Sequence, residues 1–457
     1  MSRSRDGRRR SMSLRPAGDN LETRQLLNGT WPTYISKAEL RSLLNDPPGQ
    51  PAVRPNTPVL PYGTPAKSAT FIDPSVCVTN GYAVIISQNS FIGPYAKLNA
   101  QAGIVKIGSY TAILDNASIT ANPSNLHGGP APEVLIGSQV EISYGATVTG
   151  PAVIGGYNAA TKPTYVGPGA VIDGATIAPG AFVSALARVG PGVTVPAGMK
   201  VLPGANVTTD AEASDPALGK VTPVTAADQA DLVKTLNANY SLGIGYATLY
   251  QGQSATGASP GVPSTVSGVF NGNLWTVTGA NSQPGSPTAS TAYLPPGAGP
   301  KFPTPHRPLL AQGLLGGFTS RVTGGARFTQ RASNVQAALG RRNSIRADQG
   351  QPISVGSIAQ TGSSVTINSP EGGSLSIGQQ FSAGRGAVIL GGTSAKPAVI
   401  GDDVTIGAGA VVDRSSLGSG STVGPLAYVL NSTFPAGTNI PDGAIYINNV
   451  LVGHVSR

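Results

Sequence analysis

Aliphatic residues return at every sixth position over long stretches of this chain. The series runs Ile86, Ile92, Leu98, then Ile107, Ile113, Ile119, then Ile136, Ile142, Val148, Ile154, then Val166 and Ile172. After a five-residue step it continues through Ile177, Val183, Val189, Val195, Val201 and Val207. Neither a helical period nor the alternation of a half-buried strand produces this spacing. A period of six does, when each short strand turns one aliphatic side chain inward and a turn follows. Three such strands make one coil of a triangular prism, and stacked coils bury the aliphatics in continuous ladders. Glycine and small residues suit the corners, where the backbone turns sharply. Breaks in the count at 98–107, 119–136 and 154–166 predict loops that leave the prism.

The series resumes near the C-terminus as Ile400, Ile406, Val412, Leu417, Val423, Val429, Phe434 and Ile440. Its five-residue steps at 412–417 and 429–434 echo the one at 172–177. The stretch from Val166 to Asp173 is matched by the stretch from Ile406 to Asp413. The expected fold is therefore all-β: a left-handed parallel β-helix in two copies, with a few short helices. Ser36 and Glu39 form a capping box ahead of Leu40, Leu43 and Leu44, which predicts a helix over 36–46. A second helix is expected after Thr225, with Leu232, Val233 and Leu236 along one face. The expected organisation is a basic tail, short helix and Pro-rich connector over 1–65, a first β-helix with its following helix over 66–250, a Gly/Ser/Pro-rich linker over 251–320, and a second β-helix over 321–457.

Composition agrees with a turn-rich β fold and argues against a helical one. Among 457 residues there are 61 Gly and 39 Pro, with 5% aromatic and 11% charged residues. The net charge of +9 is concentrated in two places. Seven arginines lie within 1–24, and six more (Arg321, Arg327, Arg331, Arg341, Arg342, Arg346) lie within 321–346, a stretch without an acid. The second cluster makes Arg321, Arg327, Arg331, Arg341 and Arg342 candidates for binding an anionic polymer. Aromatics do not interleave with these arginines, so nucleic acid is not expected as the partner. The single cysteine, Cys77, excludes an internal disulfide framework, and its place between Val76 and Val78 predicts a packed, inert thiol. No apolar run is long enough to span a membrane, and no uninterrupted apolar signal segment is visible near the N-terminus. The string from Asp19 to Leu27 resembles the LEPR-XLL-type segment of some bacterial exported proteins, with Thr23 in place of its proline. That resemblance hints at export or the cell surface, and the compartment stays unknown.

Two groups of proteins are built from hexapeptide coils: acyltransferases and the γ-class carbonic anhydrases. The second group fits better. The run Gly150-Pro151-Ala152-Val153-Ile154-Gly155, preceded by Ile136-Gly137, resembles the central segment of the γ-carbonic anhydrases. There, two zinc histidines stand just before Gly-Pro. The run from Thr194 to Met199 resembles their closing coil, and the helix after Thr225 stands where they place a C-terminal helix. In the second region, Arg346-Ala347-Asp348-Gln349-Gly350-Gln351-Pro352-Ile353 is close to the family's Arg-x-Asp-Glu-Gly-x-Pro-Ile signature, and the run from Ala398 to Asp403 resembles its late turn. The chain thus resembles a tandem of two γ-carbonic-anhydrase-like β-helices. The resemblance implies trimers with sites between subunits, or here an intramolecular pseudo-oligomer. It also implies a pairing of Arg346 with Asp348 at a subunit interface.

Zinc would be the cofactor expected of that family. A zinc hydratase needs three neutral imidazoles and an open water position. The chain has only His127, His306 and His454, and none stands at a matching position. The family's ligand positions hold Thr120, Tyr144 and Thr149 in the first region and Asn368, Arg385 and Leu390 in the second. Thr, Tyr and Asn are poor zinc ligands, leucine is none, and an arginine repels a cation. The signature residues become Asn99, Gln101 and Ala102 in the first region, and Gln349 replaces the glutamate in the second. No cofactor is therefore expected. For an acyltransferase, His127 is the only candidate general base, in a loop with no adjacent orienting carboxylate. Asp402, Asp403 and Asp413 are read as turn caps. The expected function is a degenerate, non-catalytic γ-carbonic-anhydrase-like scaffold. Its alternatives are a diverged hydratase or acyltransferase using Tyr144 or His127, and an anionic-polymer binder.

Overall fold

The structure, a computed structural model, describes residues 71–255, 267–279 and 320–456, with gaps at 74, 80–83, 88, 101–102, 122–132, 157–161, 272–273, 325, 331, 350–352, 371–372 and 394. The basic tail, the helix expected over 36–46, and His127, His306 and Arg331 lie outside the described residues.

The six-residue period becomes strands of two or three residues separated by turns, and it forms two left-handed β-helices. In the first, face a is the sheet that begins with Phe71–Ile72 and Phe91–Ile92 and ends at Met199–Val201. Face b runs from Cys77–Thr79 to Asn206–Val207, and face c from Val84–Ile86 to Thr194–Val195. The coils pair in parallel so that each inward aliphatic sits on its counterpart, as in Ile119 on Val148 on Ile172. These side chains are fully buried, which removes the apolar half of every strand from water and drives the stacking. The antiparallel strand Val221–Pro223 closes face a.

The second β-helix begins at Ser320–Gly324 and repeats the scheme up to Asn439–Ile440, with a final antiparallel pair, Ala444–Ile447 and Val450–His454. Two features fix which of its faces corresponds to which. The five-residue steps fall at the same corner, from Ile172 to Ile177 in the first and from Val412 to Leu417 in the second. A column of left-handed residues also marks one corner of each: Tyr95, Asn116, Gly145 and Gly169 in the first, and Arg342, Ser364, Gly386 and Gly409 in the second. Each later member donates its N–H to a carbonyl one coil earlier, as Gly145 does to Asp115 and Gly386 to Ser363, both at 2.9 Å. The sheet before this corner is face a and the sheet after it is face b. Face a of the second β-helix therefore contains Phe381–Ala383, and its face b contains Asn343–Ala347.

The two β-helices pack side by side, face a of the first against face b of the second. Phe71, Phe91 and Phe182 are buried in one cluster with Val388, Val411, Tyr428 and Ile445. Leu232, Leu236 and Leu242 of the helix Ala226–Ala255 complete the cluster. Thr225 and Asp228 cap that helix reciprocally, and Lys200 pins its first turn through Asp228 at 2.8 Å. Unlike surfaces meet, so the contact is heterologous. The corresponding faces of the opposite partner are polar: face b of the first exposes Cys77, Lys97 and Arg188, and face a of the second exposes Gln360, Thr405, Thr422 and Asn439.

Three expectations change. The helix after Thr225 spans 30 residues and is not short. The segment expected to be linker carries a hairpin, Ser267–Asn271 with Leu274–Gly279. Cys77 is exposed rather than packed, because Val78 takes the inward position and strand alternation turns Cys77 outward. Among the described residues no helix is long and apolar enough to cross a membrane.

Phe91 is 2% exposed, stacks on Phe71 at 5.8 Å between ring centres, and belongs to the cluster shared by both β-helices. Phe91→Ala is expected to lose about 3–5 kcal/mol in urea unfolding. Val153→Ala, on an outward position, is expected to stay within about 0.5 kcal/mol.

Candidate functional site

The junction of the β-helices gathers buried charge: Asp73, Asp115, Arg321, Arg346 and Asp348. The strand Asn343–Ala347 places Ser344 and Arg346 on one side of face b, where both point into the first β-helix. The Arg346 guanidinium bonds Asp115 Oδ1 at 2.6 Å and Asp348 at 3.1 and 3.2 Å. It also lies 5.2 Å from the centre of the Phe91 ring. Ser344 Oγ donates to the other Asp115 oxygen at 2.5 Å. Asp115 is fully buried. Burial pushes its carboxyl up, while Arg346 and Ser344 pull it down, and burial wins. A second ion pair, Arg321 to Asp73 at 2.8 Å, ties the first strand of the second β-helix to the first coil of its neighbour. Gln349 Nε2 donates to Asn239 Oδ1 of the long helix at 2.9 Å. Arg346 and Asp348 therefore lie at an interface between the two β-helices of one chain.

The positions that resemble zinc ligands divide into two groups. Tyr144, Asn368 and Leu390 come together at this junction. Tyr144 precedes the left-handed Gly145 at the corner of the first β-helix, and Asn368 Nδ2 donates to its hydroxyl. Leu390 is the register partner of Asn368 on the next coil and is buried. Thr120 and Thr149 are neighbours on face b of the first β-helix, half-buried, and away from the junction. Arg385 occupies the corner position equivalent to Tyr144 and is exposed. Among the described residues no group of three His, Cys, Asp or Glu could hold a metal ion. Tyr144, Asn368 and Leu390 offer one phenol, one amide and a hydrocarbon, which do not fit zinc.

Glu141, on face a, is buried at 3% exposure. Ser143 gives it a hydrogen bond, but its Oε2 meets no partner, and burial raises the carboxyl to about 8. Tyr165 and Tyr144 both feel its charge. Nearby, Asp413 pairs with Arg414 at 3.3 Å and is held above the usual carboxylate range, mainly by burial.

Sequence reasoning missed Asp115, Asp73 and Glu141. Asp115 had one signal: it fills a corner position that holds Pro94 and Pro168 on other coils of the same column. Glu141 had none, because an outward strand position is polar by default. The six-arginine stretch does not act as one patch. Arg321 and Arg346 are buried ion-pair partners, which removes Arg321 from the anion-binding candidates, and Arg341 and Arg342 are exposed. Arg327 lies on a short strand. His454 is exposed on the last strand. Asp402 Oδ1 accepts from the Gln379 N–H at 2.6 Å, as a turn cap does.

No protein-family model matches the sequence, and no curated protein matches it either. Solved structures similar in fold include a hexapeptide transferase family protein from Anaplasma phagocytophilum, with 16% identity and TM-score 0.20, covering 39% of this chain and 93% of that one. Another is a proposed acetyltransferase from Bacillus cereus, with 16% identity and TM-score 0.15, covering 40% of this chain and 94% of that one. At these identities the likeness extends to the hexapeptide-repeat β-helix and no further.

Two measurements test the junction. Arg346→Met strands two buried carboxylates and is expected to cost about 3–5 kcal/mol in urea unfolding. Adding Asp115→Leu and Asp348→Leu is expected to recover part of that loss, because apolar side chains then replace the whole charged set. Glu141 has a folded-state pKa above its unfolded value, so its contribution is intact below about pH 4.5. It declines by about 1.4 kcal/mol per pH unit as the unfolded chain ionises, and it levels off above about pH 8. Glu141→Gln is expected to remove one proton's worth of slope between pH 5 and 8, measured by unfolding at each pH.

Proposed function

We propose that this hexapeptide-repeat protein is a non-catalytic scaffold in which two γ-carbonic-anhydrase-like β-helices are fused and mated face to face. The observation that carries the reading is the seat formed by Tyr144, Asn368 and Leu390. Three positions that resemble zinc ligands, drawn from both β-helices, converge at one junction, and a Tyr144–Asn368 hydrogen bond and a buried leucine side chain fill it. No metal-binding set stands beside them among the described residues. The junction also supports a particular assembly. One chain supplies both halves of a contact that the resemblance places between subunits. The polar character of the two corresponding open faces favours an intramolecular pair over a ring continued through further copies.

The full chain is expected to purify without stoichiometric zinc, to hydrate CO2 no faster than buffer, and to release no CoA from acetyl-CoA with common amine acceptors. Zinc at one equivalent with hydration above background overturns the scaffold reading, as does acetyl transfer abolished by His127→Ala. The reading also predicts a gain. The triple variant Tyr144→His, Asn368→His, Leu390→His is expected to bind one zinc per chain, measured by elemental analysis after dialysis. No zinc in a folded triple variant removes the equivalence with a ligand set.

A further inference from the structure

The left-handed corner is used differently in the two β-helices. In the first it carries Pro94, Asp115 and Tyr144 on successive coils, and Asp115 and Tyr144 reach into the neighbour. In the second the same positions carry Arg341, Ser363 and Arg385, linked through the Ser364 N–H to Arg341 O at 2.8 Å and the Gly386 N–H to Ser363 O at 2.9 Å. Arg341 and Arg385 thus stand two coils apart in one column, roughly 10 Å at the usual strand spacing. Arg342 follows Arg341 and takes the left-handed conformation itself, with φ 60°. Ser364, Gly386 and Gly409 fill the same place on the next coils. An arginine there costs backbone strain that a glycine avoids.

This corner stands beside the edge of face b of the first β-helix. Asn116 Nδ2 bridges to Thr366 Oγ1 at 3.0 Å and holds the two edges together. Lys97 lies one coil from Ser118 on that edge and is exposed. Its ammonium is held below the usual lysine range, first by partial burial and then by the charges of Arg342 and Arg385. Three cations from two β-helices therefore share one locality. Among the described residues the ion pairs use other cations, and no carboxylate is matched to Lys97, Arg341, Arg342 or Arg385. Asp115, the acid of the adjoining corner, is buried and already holds Arg346.

We propose that Lys97, Arg342 and Arg385 form a binding site for a tetrahedral oxyanion, phosphate or sulfate, at the open seam between the two β-helices. Two guanidinium forks and an ammonium are the donors such a dianion takes, the forks giving paired N–H bonds and the lysine a point charge. Ser364 adds a hydroxyl in the same corner column, and Arg341 extends the positive surface along the stack. The anion also removes the mutual repulsion of the three cations. The group is either a free ion or an ester carried on a polysaccharide. Both present the same oxygens, and the site lies on an open edge that a chain could cross. This inference does not depend on the scaffold reading.

The test uses the full chain in low-salt buffer. Calorimetric titrations are run with inorganic sulfate, inorganic phosphate and a heparin oligosaccharide. The variants are Arg342→Gly, Arg385→Ser and Lys97→Ala, with Arg188→Ala, at the far end of the same face b, as control. Arg342→Gly suits the left-handed backbone and Arg385→Ser copies the coil above, so both are expected to keep the melting temperature. Each is expected to weaken binding at least tenfold, with Arg188→Ala unchanged. Loss for the free ions and heparin alike supports a site for the group itself. Loss for heparin alone, with no free-ion binding, supports the polysaccharide-borne ester. No binding of any of the three probes overturns the proposal. So does binding that Arg342→Gly and Arg385→Ser leave intact, or weakening by Arg188→Ala to the same degree. A change of sedimenting mass in these variants without a change in ion binding also overturns it, assigning the corner to contacts between copies.

Discussion

The guanidinium of Arg346 answers a problem that a β-helix creates for itself. Coils repeat about every 4.8 Å along the stack, and each presents nearly the same surface as the last. Two such stacks pressed together by apolar faces would pack almost as well after sliding by one coil, because the hydrophobic effect has no direction. Buried charge has direction. With Arg346 between Asp115, Asp348 and Phe91, a slip of one coil moves Asp115 away and leaves ions stranded in the interior, at several kcal/mol. Arg321 with Asp73 repeats the constraint near one end of the stack. The apolar cluster supplies adhesion, and the buried ion pairs supply register.

Register has a consequence for symmetry. Face a of one β-helix meets face b of the other, so the union leaves a face b and a face a unmatched. Repeating the contact would add a third body, and the open faces differ in character from the mated ones. Where the mated face a carries Phe71, Phe91 and Phe182, the open one carries Gln360, Thr405, Thr422 and Asn439. Where the mated face b carries Val388, Val411 and Tyr428, the open one carries Lys97, Thr147, Val171 and Arg188. Aromatic and aliphatic residues are concentrated where one chain meets itself, which agrees with a contact completed within the chain.

The coils were legible in the sequence because their cause is local. One inward aliphatic every six residues is a demand each strand makes independently, so Ile86 through Val207 and Ile400 through Ile440 state it without help from distant parts. The correspondence of the two copies was legible for the same reason, through the five-residue steps. The mating was not, because it depends on outward positions, where Phe91 and Lys97 are equally acceptable to an isolated coil. Cys77 was misjudged on that ground: its neighbours Val76 and Val78 are buried, and its own side chain is turned outward by alternation. Arg321 was misjudged because composition groups residues by sequence, whereas Asp73 reaches it from the first coil of the other β-helix. Tyr144, Asn368 and Leu390 could each be named from a resemblance, but their convergence required knowing that the two β-helices mate off-face.

The junction also shows where the molecule departs from the economy of its coils. A β-helix built only to be stable would place apolar pairs across this seam and no ions. Instead Asn368 Oδ1 and Glu141 Oε2 are buried without a partner, each at a free-energy cost that a leucine would avoid. Such costs collect where a fold serves something other than its own stability. On the scaffold reading the Asn368 carbonyl belongs to a seat that resembles a ligand set, and Glu141 lies outside it. Leu390 offers no polar group, Asn368 Nδ2 donates to the Tyr144 hydroxyl, and the Asn368 carbonyl is left without a partner. The ion pairs around Arg346 are matched on both sides, and register depends on them. The seam is therefore uneven: Leu390 brings hydrocarbon, Tyr144 and Asn368 keep a hydrogen bond, and the groups that hold the two halves in register are charged.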